Sequence, residues 1–207
     1  GQGLLAQADA LEAAVRAAAD AISGSLTVAS VDLFSPRLAA LYQDYGRRCP
    51  EVALNVEKKG LSEILEQVER QSADLGVTFS YALPDRLDGL CTRTITRETF
   101  CLICAPDNPI AAKQSVRPEE LSGENYVSVG AQRSGFTKNI EDILLRGRGR
   151  AVVRSVPTLE SLFLRVSSGG CVSLVPRPIA MALGRGCACV ELEGVDTGFD
   201  VVAVWRQ

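Results

Sequence analysis

The sequence predicts an α/β protein built on parallel strands, and three features predict it. Residues 52–79 read as strand, turn, helix and strand, a unit whose length implies two parallel strands joined by a right-handed crossover. Short apolar runs then alternate with helical periodicity through most of the chain. Finally, 207 residues with 46% hydrophobic content can bury a sizeable core, as one large domain or two small ones.

The chain opens on residues 4–22, an Ala-rich and strongly helical stretch. Leu4, Ala8, Leu11, Val15, Ala18 and Ile22 fall at the a/d spacing of a coiled coil. The seam fits a partner helix, or a helix packed on its own domain. Ser23-Gly24-Ser25 breaks it. Leu26 to Ala29 is the first core strand. Ser35-Pro36 reads as an N-cap with Pro at the first helical position, and Leu38, Leu41, Tyr42 and Tyr45 form that helix's apolar stripe. Cys49-Pro50 stops it.

In the 52–79 unit, Val52 to Val56 is a strand, and Gly60 frees the backbone to turn. Leu61, Ile64, Leu65 and Val68 make one buried helical stripe, and Asp74 to Phe79 returns as a strand. A helix N-terminus at Leu61-Ser62 turns free N–H groups toward the sheet rim, where a small anion would be stabilised. Ligands of open parallel sheets bind outside the carboxyl ends of the strands.

Further on, Leu90 to Ile95 and Phe100 to Ala105 read as two strands joined around Arg97-Glu98. A turn at Pro106 to Pro109 and a short helix from Arg117 follow. Tyr126 to Val129 is a strand, 130–135 a polar loop, and Phe136 to Leu145 a helix with Ile140, Ile143 and Leu144 inward. Val152-Val153 is a strand, Thr158 to Val166 a helix, Cys171 to Val175 a strand, and Pro176 starts another helix. Val190 to Leu192 and Phe199 to Trp205 close the chain.

Composition narrows the chemistry. The net charge of -3, from 22 basic and 25 acidic residues, makes these residues a poor grip for a phosphate backbone. No apolar run approaches the ~20 residues of a membrane span, and no signal peptide is visible. The first residue is Gly, which reads as processing or truncation. Seven cysteines without small-scaffold spacing indicate free thiols in a reducing cytosol. The absence of histidine removes Ser-His-Asp and Cys-His catalysis and His-ligated metals, and moves weight from enzyme to binding module.

The remaining candidates are few. Cys101 and Cys104 have metal-site spacing, but on a strand they point to opposite faces, and no second pair completes them. Cys187 and Cys189 share a face. Cys171, after two glycines, could act in redox chemistry. Gly147 to Arg150 is a basic turn, more often solvated than phosphate-binding. The polar loops that follow apolar strands form a more coherent set: Ser30, Leu61-Ser62, Ser128 and Gln132 to Phe136. If they converge they line a cleft for a small polar molecule.

In order and spacing these elements resemble the effector-binding region of LysR-type transcriptional regulators, over nearly the whole chain. The resemblance is carried by Gly24 to Ser30, Pro36 to Tyr45 with Cys49 to Val52, Gly60 to Val68 with Ala73 to Val77, Leu102 to Pro109, and Thr158 to Val166 with Gly169 to Arg177. It implies two Rossmann-like subdomains of periplasmic-binding-protein type, crossed twice by the chain and preceded by a linker helix over 1–23 that dimerises. Subdomain I would comprise 24–91 and 181–207, and subdomain II 92–180. By position, Ser30, Leu61 and Phe136 would contact an effector in the cleft between them, with Val31, Ser62, Thr78, Ser128, Val129 and Cys171 lining it.

The implied function is binding a small organic metabolite without cofactor, metal or catalysis. The signal would pass through a homodimer or homotetramer to an N-terminal winged helix-turn-helix that has no counterpart here. DNA would be met only through that domain, and no membrane is involved. Arg133 could partner a carboxylate, so organic acids are one effector class. Two departures bear on the cleft: the Ser30–Pro36 loop is shorter than usual, and Leu61 stands where a hydroxyl residue is common, which favours a more apolar effector. The peroxide-sensing branch uses two cysteines after the loop at Gly130, and residues 136–150 contain none. The rival readings are a solute-binding protein of transport with the same fold, and a transferase-type enzyme on a related scaffold.

Overall fold

A computed structural model describes residues 24–31, 36–129, 140–142 and 153–207. The expected linker helix over 1–23 lies outside them, as do most of the expected 136–145 helix and the basic turn at 147–150. The chain forms two compact units, one ending at Arg97 and resuming at Phe199, the other running from Glu98 to Gly198.

The first unit is built around β1 (Gly24–Ser30). It is flanked in parallel by β2 (Val52–Lys58) and β3 (Leu75–Phe79), with Val28 opposite Val56 on one side and Leu75 on the other. The strands of the 52–79 unit are therefore parallel but not adjacent. β10 (Gly198–Arg206) runs antiparallel to β3, which gives the order β2-β1-β3-β10. Helix α1 (Pro36–Arg48) begins at the expected proline and buries Leu38, Leu41 and Tyr45. Helix α2 (Leu61–Glu69) buries Ile64 and Val68, while Leu61 and Leu65 are half-buried. Phe79, Tyr81 and Phe199 close one end of the sheet as a ring cluster, with centroids 5.1–5.5 Å apart and Phe199 edge-on to both partners.

Two glycines here act differently from one another. Gly60 sits at φ -69°, a conformation open to any residue, so its backbone freedom is not what turns the chain. Gly76 is required for space. A Cβ there would stand 2.6 Å from Val204 Cγ1 and 2.7 Å from Ile64 Cγ2.

The second unit repeats this strand plan. β6 (Tyr126–Val129) is central, with β7 (Val153–Val156) parallel on one side. On the other side it meets Val172 through a parallel bridge, with Val127 N–H donating to the Val172 carbonyl at 3.0 Å. From there the chain enters β8 (Ser173–Pro176), antiparallel to β4 (Leu90–Cys104). β9 (Ala188–Leu192) lies on the far side of β4 and pairs in parallel with the short β5 (Ser115–Val116). Helices α3 (Leu159–Ser167) and α4 (Arg177–Leu183) complete the unit, and the Thr158 hydroxyl caps α3 by accepting from Ser161 N–H at 3.2 Å. Of the expected 136–145 helix, residues 140–142 are helical and Ile140 is buried.

Two sequence expectations change. The two strands expected on either side of Arg97-Glu98 are one continuous strand, β4, that carries the chain from the first unit into the second. The expected boundaries at 91/92 and 180/181 move to 97/98 and 198/199. Residues 181–198 belong with the second unit because β9 is hydrogen-bonded to β4 and β5 there.

Replacing Gly76 by Ala should destabilise the protein by about 1–3 kcal/mol, because the added methyl overpacks a filled contact; urea denaturation measures it. Helix α2 ends with Gln71 N–H on the Val68 carbonyl, Ser72 N–H on the Gln67 carbonyl and Gln71 at φ 58°. A side chain there is strained, so Gln71→Gly should raise stability by about 0.5–1 kcal/mol in the same assay.

Candidate functional site

In the first unit, β1 and β3 end side by side, and the predicted residues gather at those ends. Val31 continues the ladder by donating its N–H to the Val77 carbonyl at 3.0 Å. Ser30, Val31 and Thr78 are all buried. Side chains alternate along a strand, so Ser30 points to the opposite face from Val31 and Thr78. Ser30 lies beside the Tyr42 phenol of α1, and donates its own proton to the Val31 carbonyl at 3.1 Å. Burial pushes the Tyr42 phenol up, and the Ser30 hydroxyl offsets only part of that.

Thr78 shares its face with Gly76, and so with the α2 side of the sheet. Among the described residues, the buried hydroxyl of Thr78 has no hydrogen-bond partner. Leaving such a group unpaired costs about 1–3 kcal/mol, so Thr78 marks polar capacity held in reserve at this strand end. Tyr42 was expected only as a stripe residue. Its hydroxyl, on the helix that follows the Ser30 loop, was the available signal.

The chain reaches α2 through Lys59, whose N–H donates to the Ser30 carbonyl at 2.9 Å. Leu61 is half-buried and Ser62 exposed. The Gly60 N–H is taken by the Glu63 carboxylate at 2.9 Å. The chain thus brings its own anion to this helix start, which leaves less of the dipole for a ligand than the sequence led one to expect.

In the second unit, Ser128 is buried and Val129 half-buried at the carboxyl end of β6, opposite Ser155 and Val156 of β7. At the other end of β6 the Tyr126 hydroxyl donates to the buried Glu141 carboxylate at 2.9 Å. Cys171 stands apart from Ser128 and Val129. The Tyr126–Val172 bridge puts it three rows earlier in the sheet, about 10 Å away along the strands. Its thiol donates to the Arg165 carbonyl at 3.5 Å, and burial pushes it up, so it is held as a thiol. Phe136, Gln132 and Arg133 lie outside the described residues.

The rims offer hydroxyls, backbone N–H groups and apolar walls, a set suited to holding a small molecule. Among the described residues no group of three or more His, Cys, Asp or Glu could hold a metal ion. No helix there is long and apolar enough to cross a membrane.

Two α/β units with the same strand plan, joined by two passes of the chain, define a binding fold of the type 2 periplasmic-binding kind. The family follows from sequence as well as fold. A model of the LysR substrate binding domain matches residues 19–207, and the chain belongs to that family. It is 30% identical over 107 residues to the transcriptional activator protein LysR of Escherichia coli, a match covering 51% of this chain and 33% of that protein. Among solved structures, it is similar to the reduced OxyR regulatory domain of Pseudomonas aeruginosa, at 19% identity and a TM-score of 0.71, covering 90% of each chain. The reduced regulatory domain of OxyR2 from Vibrio vulnificus is similar at 18% identity and a TM-score of 0.71, covering 91% of this chain and 89% of that one.

Thr78→Val, which replaces an unpaired buried hydroxyl by a methyl of similar shape, should leave stability unchanged or raise it by up to about 2 kcal/mol. Thermal melts of the two proteins without added ligand check this.

Proposed function

We propose that the chain is the sensor of a LysR-type transcriptional regulator and binds a small organic metabolite at the strand ends described above. The observation that carries this reading is the family match over 19–207. The unpaired Thr78 hydroxyl supports it, since a ligand with a polar atom there would satisfy it. Ser30, Val31, Leu61, Ser62 and Thr78 would contact the effector from the first unit, and Ser128, Val129 and Phe136 from the second. Glu63 at the α2 start disfavours a doubly charged effector there, and half-buried Leu61 favours one with an apolar body.

The effector acts by favouring one arrangement of the units over another, because a ligand with equal affinity for both shifts nothing. The shift would pass through a homodimer or homotetramer to DNA-reading domains of the parent protein in the cytoplasm. A chain without histidine is consistent with sensing rather than catalysis.

A thermal-shift screen of small aromatic and aliphatic acids with their neutral amides or esters tests the proposal. A binder present at 100 times its dissociation constant should stabilise the chain by about 2.7 kcal/mol. Thr78→Val and Ser128→Ala should each weaken that binder, read by calorimetry, while the unliganded melt stays cooperative. A screen in which no metabolite class shifts the melt, or a binder indifferent to both substitutions, overturns the assignment.

A further inference from the structure

β4 and β9 of the second unit run antiparallel with Ile103 opposite Cys189. Directly opposite residues share a face, and alternate residues of one strand do too. Cys101 therefore stands diagonally from Cys189, on the same face and level with Glu191. On the other side of β4, Val175 of β8 is opposite Cys101, and Arg177 follows two residues later. Arg177 is ion-paired to Glu191. Its side chain therefore reaches from the β8 side of β4 to β9, at the level of Cys101. The thiols of Cys101 and Cys189 are close enough that a hydrogen-bonding interaction between them is the largest influence on the ionisation of each. Cys101 is fully buried and Cys189 is exposed.

We propose that Cys189 and Cys101 form a thiol–disulfide exchange pair, in which Cys189 takes up a low-molecular-weight disulfide and Cys101 resolves it. In the first step the Cys189 thiolate attacks one sulfur of RSSR. A Cys189–SR bond forms, the RS–SR bond breaks, and one RS⁻ leaves. Cys101 then gives its proton to that RS⁻ and attacks Cys189 Sγ. The Cys101–Cys189 bond forms, the Cys189–SR bond breaks, and a second RS⁻ leaves to take a proton from water. Two protein thiols are oxidised by two electrons, and RSSR is reduced to two RSH.

The electrostatics suit this order. The Cys101 hydrogen bond, aided by Arg177, lowers Cys189 to about 7 against the opposing effects of burial and Glu191. The same hydrogen bond, then burial and the Cys189 charge, hold Cys101 far up. Once Cys189 is in a mixed disulfide, the first and third of those causes vanish, so Cys101 becomes easier to ionise when it must attack. Diagonal sheet neighbours sit about 7–8 Å apart at Cα, whereas bridged cysteines usually sit about 4.4–6.8 Å apart. Closing the bridge therefore draws β9 along β4, and such a strained bond is readily reduced again. The pair stands independently of the effector reading.

The 207-residue chain is incubated with oxidised glutathione, quenched by alkylation and mapped by mass spectrometry without reduction. The expected product is a peptide pair linked through Cys101 and Cys189. Cys101→Ser should stop at glutathione on Cys189, and Cys189→Ser should give neither species. Because Cys101 is buried and its variant can misfold, Arg177→Gln provides a second measurement. It removes an exposed ion pair, and should slow Cys189 alkylation at pH 7 several-fold and move the midpoint of its pH profile upward from near 7. Absence of the linked peptide from the unsubstituted chain, Cys189 reacting no faster than half-buried Cys91, or an unmoved midpoint in Arg177→Gln each overturns the proposal.

Discussion

The first unit depends on the direct seating of α2 on the backbone of β3. Gly76 offers no side chain, so Ile64 and Val68 of the helix and Val204 of β10 close over it. That contact fixes how far α2 stands from the sheet, and with it where Leu61 and Ser62 open beside the strand ends that carry Val31 and Thr78. The helix start cannot drift outward without opening a void among Ile64, Val68 and Val204, and voids in such cores are costly.

The same strand plan serves both units, with a central strand, two parallel flanks and an antiparallel fourth. In the first unit the fourth strand is β10, and in the second it is β4. Both fourth strands are the segments through which the chain passes between units. A parallel strand needs a crossover to return it to its sheet, whereas an antiparallel one can leave at its far end and continue. That is why one 15-residue strand, β4, replaces the two expected on either side of Arg97-Glu98. Periodicity around Arg97-Glu98 reads as a break because exposure changes there, and hydrogen bonding does not respect that change.

The candidate site was partly legible. Ser30 and Ser128 follow from the rule that ligands meet parallel sheets at carboxyl ends, Thr78 came from the family resemblance, and all three are at such ends in their own units. Cys171 was grouped with them only by the family resemblance. The register puts it at the opposite end of its sheet, and sequence spacing carries no sign for strand direction. Gly60 was credited with a turn that its ordinary φ does not require, while Gly76, inside the strand expected from Asp74 to Phe79, was the constrained glycine. Tyr42 looked like one more apolar stripe position, since a helical wheel does not reveal what faces the hydroxyl.

The sequence by itself determined the α/β class, the family, most element starts and the separation of Cys101 from Cys104 on a strand. These depend on local periodicity, caps and composition, which are written in neighbouring residues. Only the tertiary structure decided the strand order, the true crossing points and the meeting of Cys101, Cys189, Arg177 and Glu191 on one face of a sheet. Those depend on register between segments nearly ninety residues apart, which is fixed by side chains packing across strands and by no short stretch of chain.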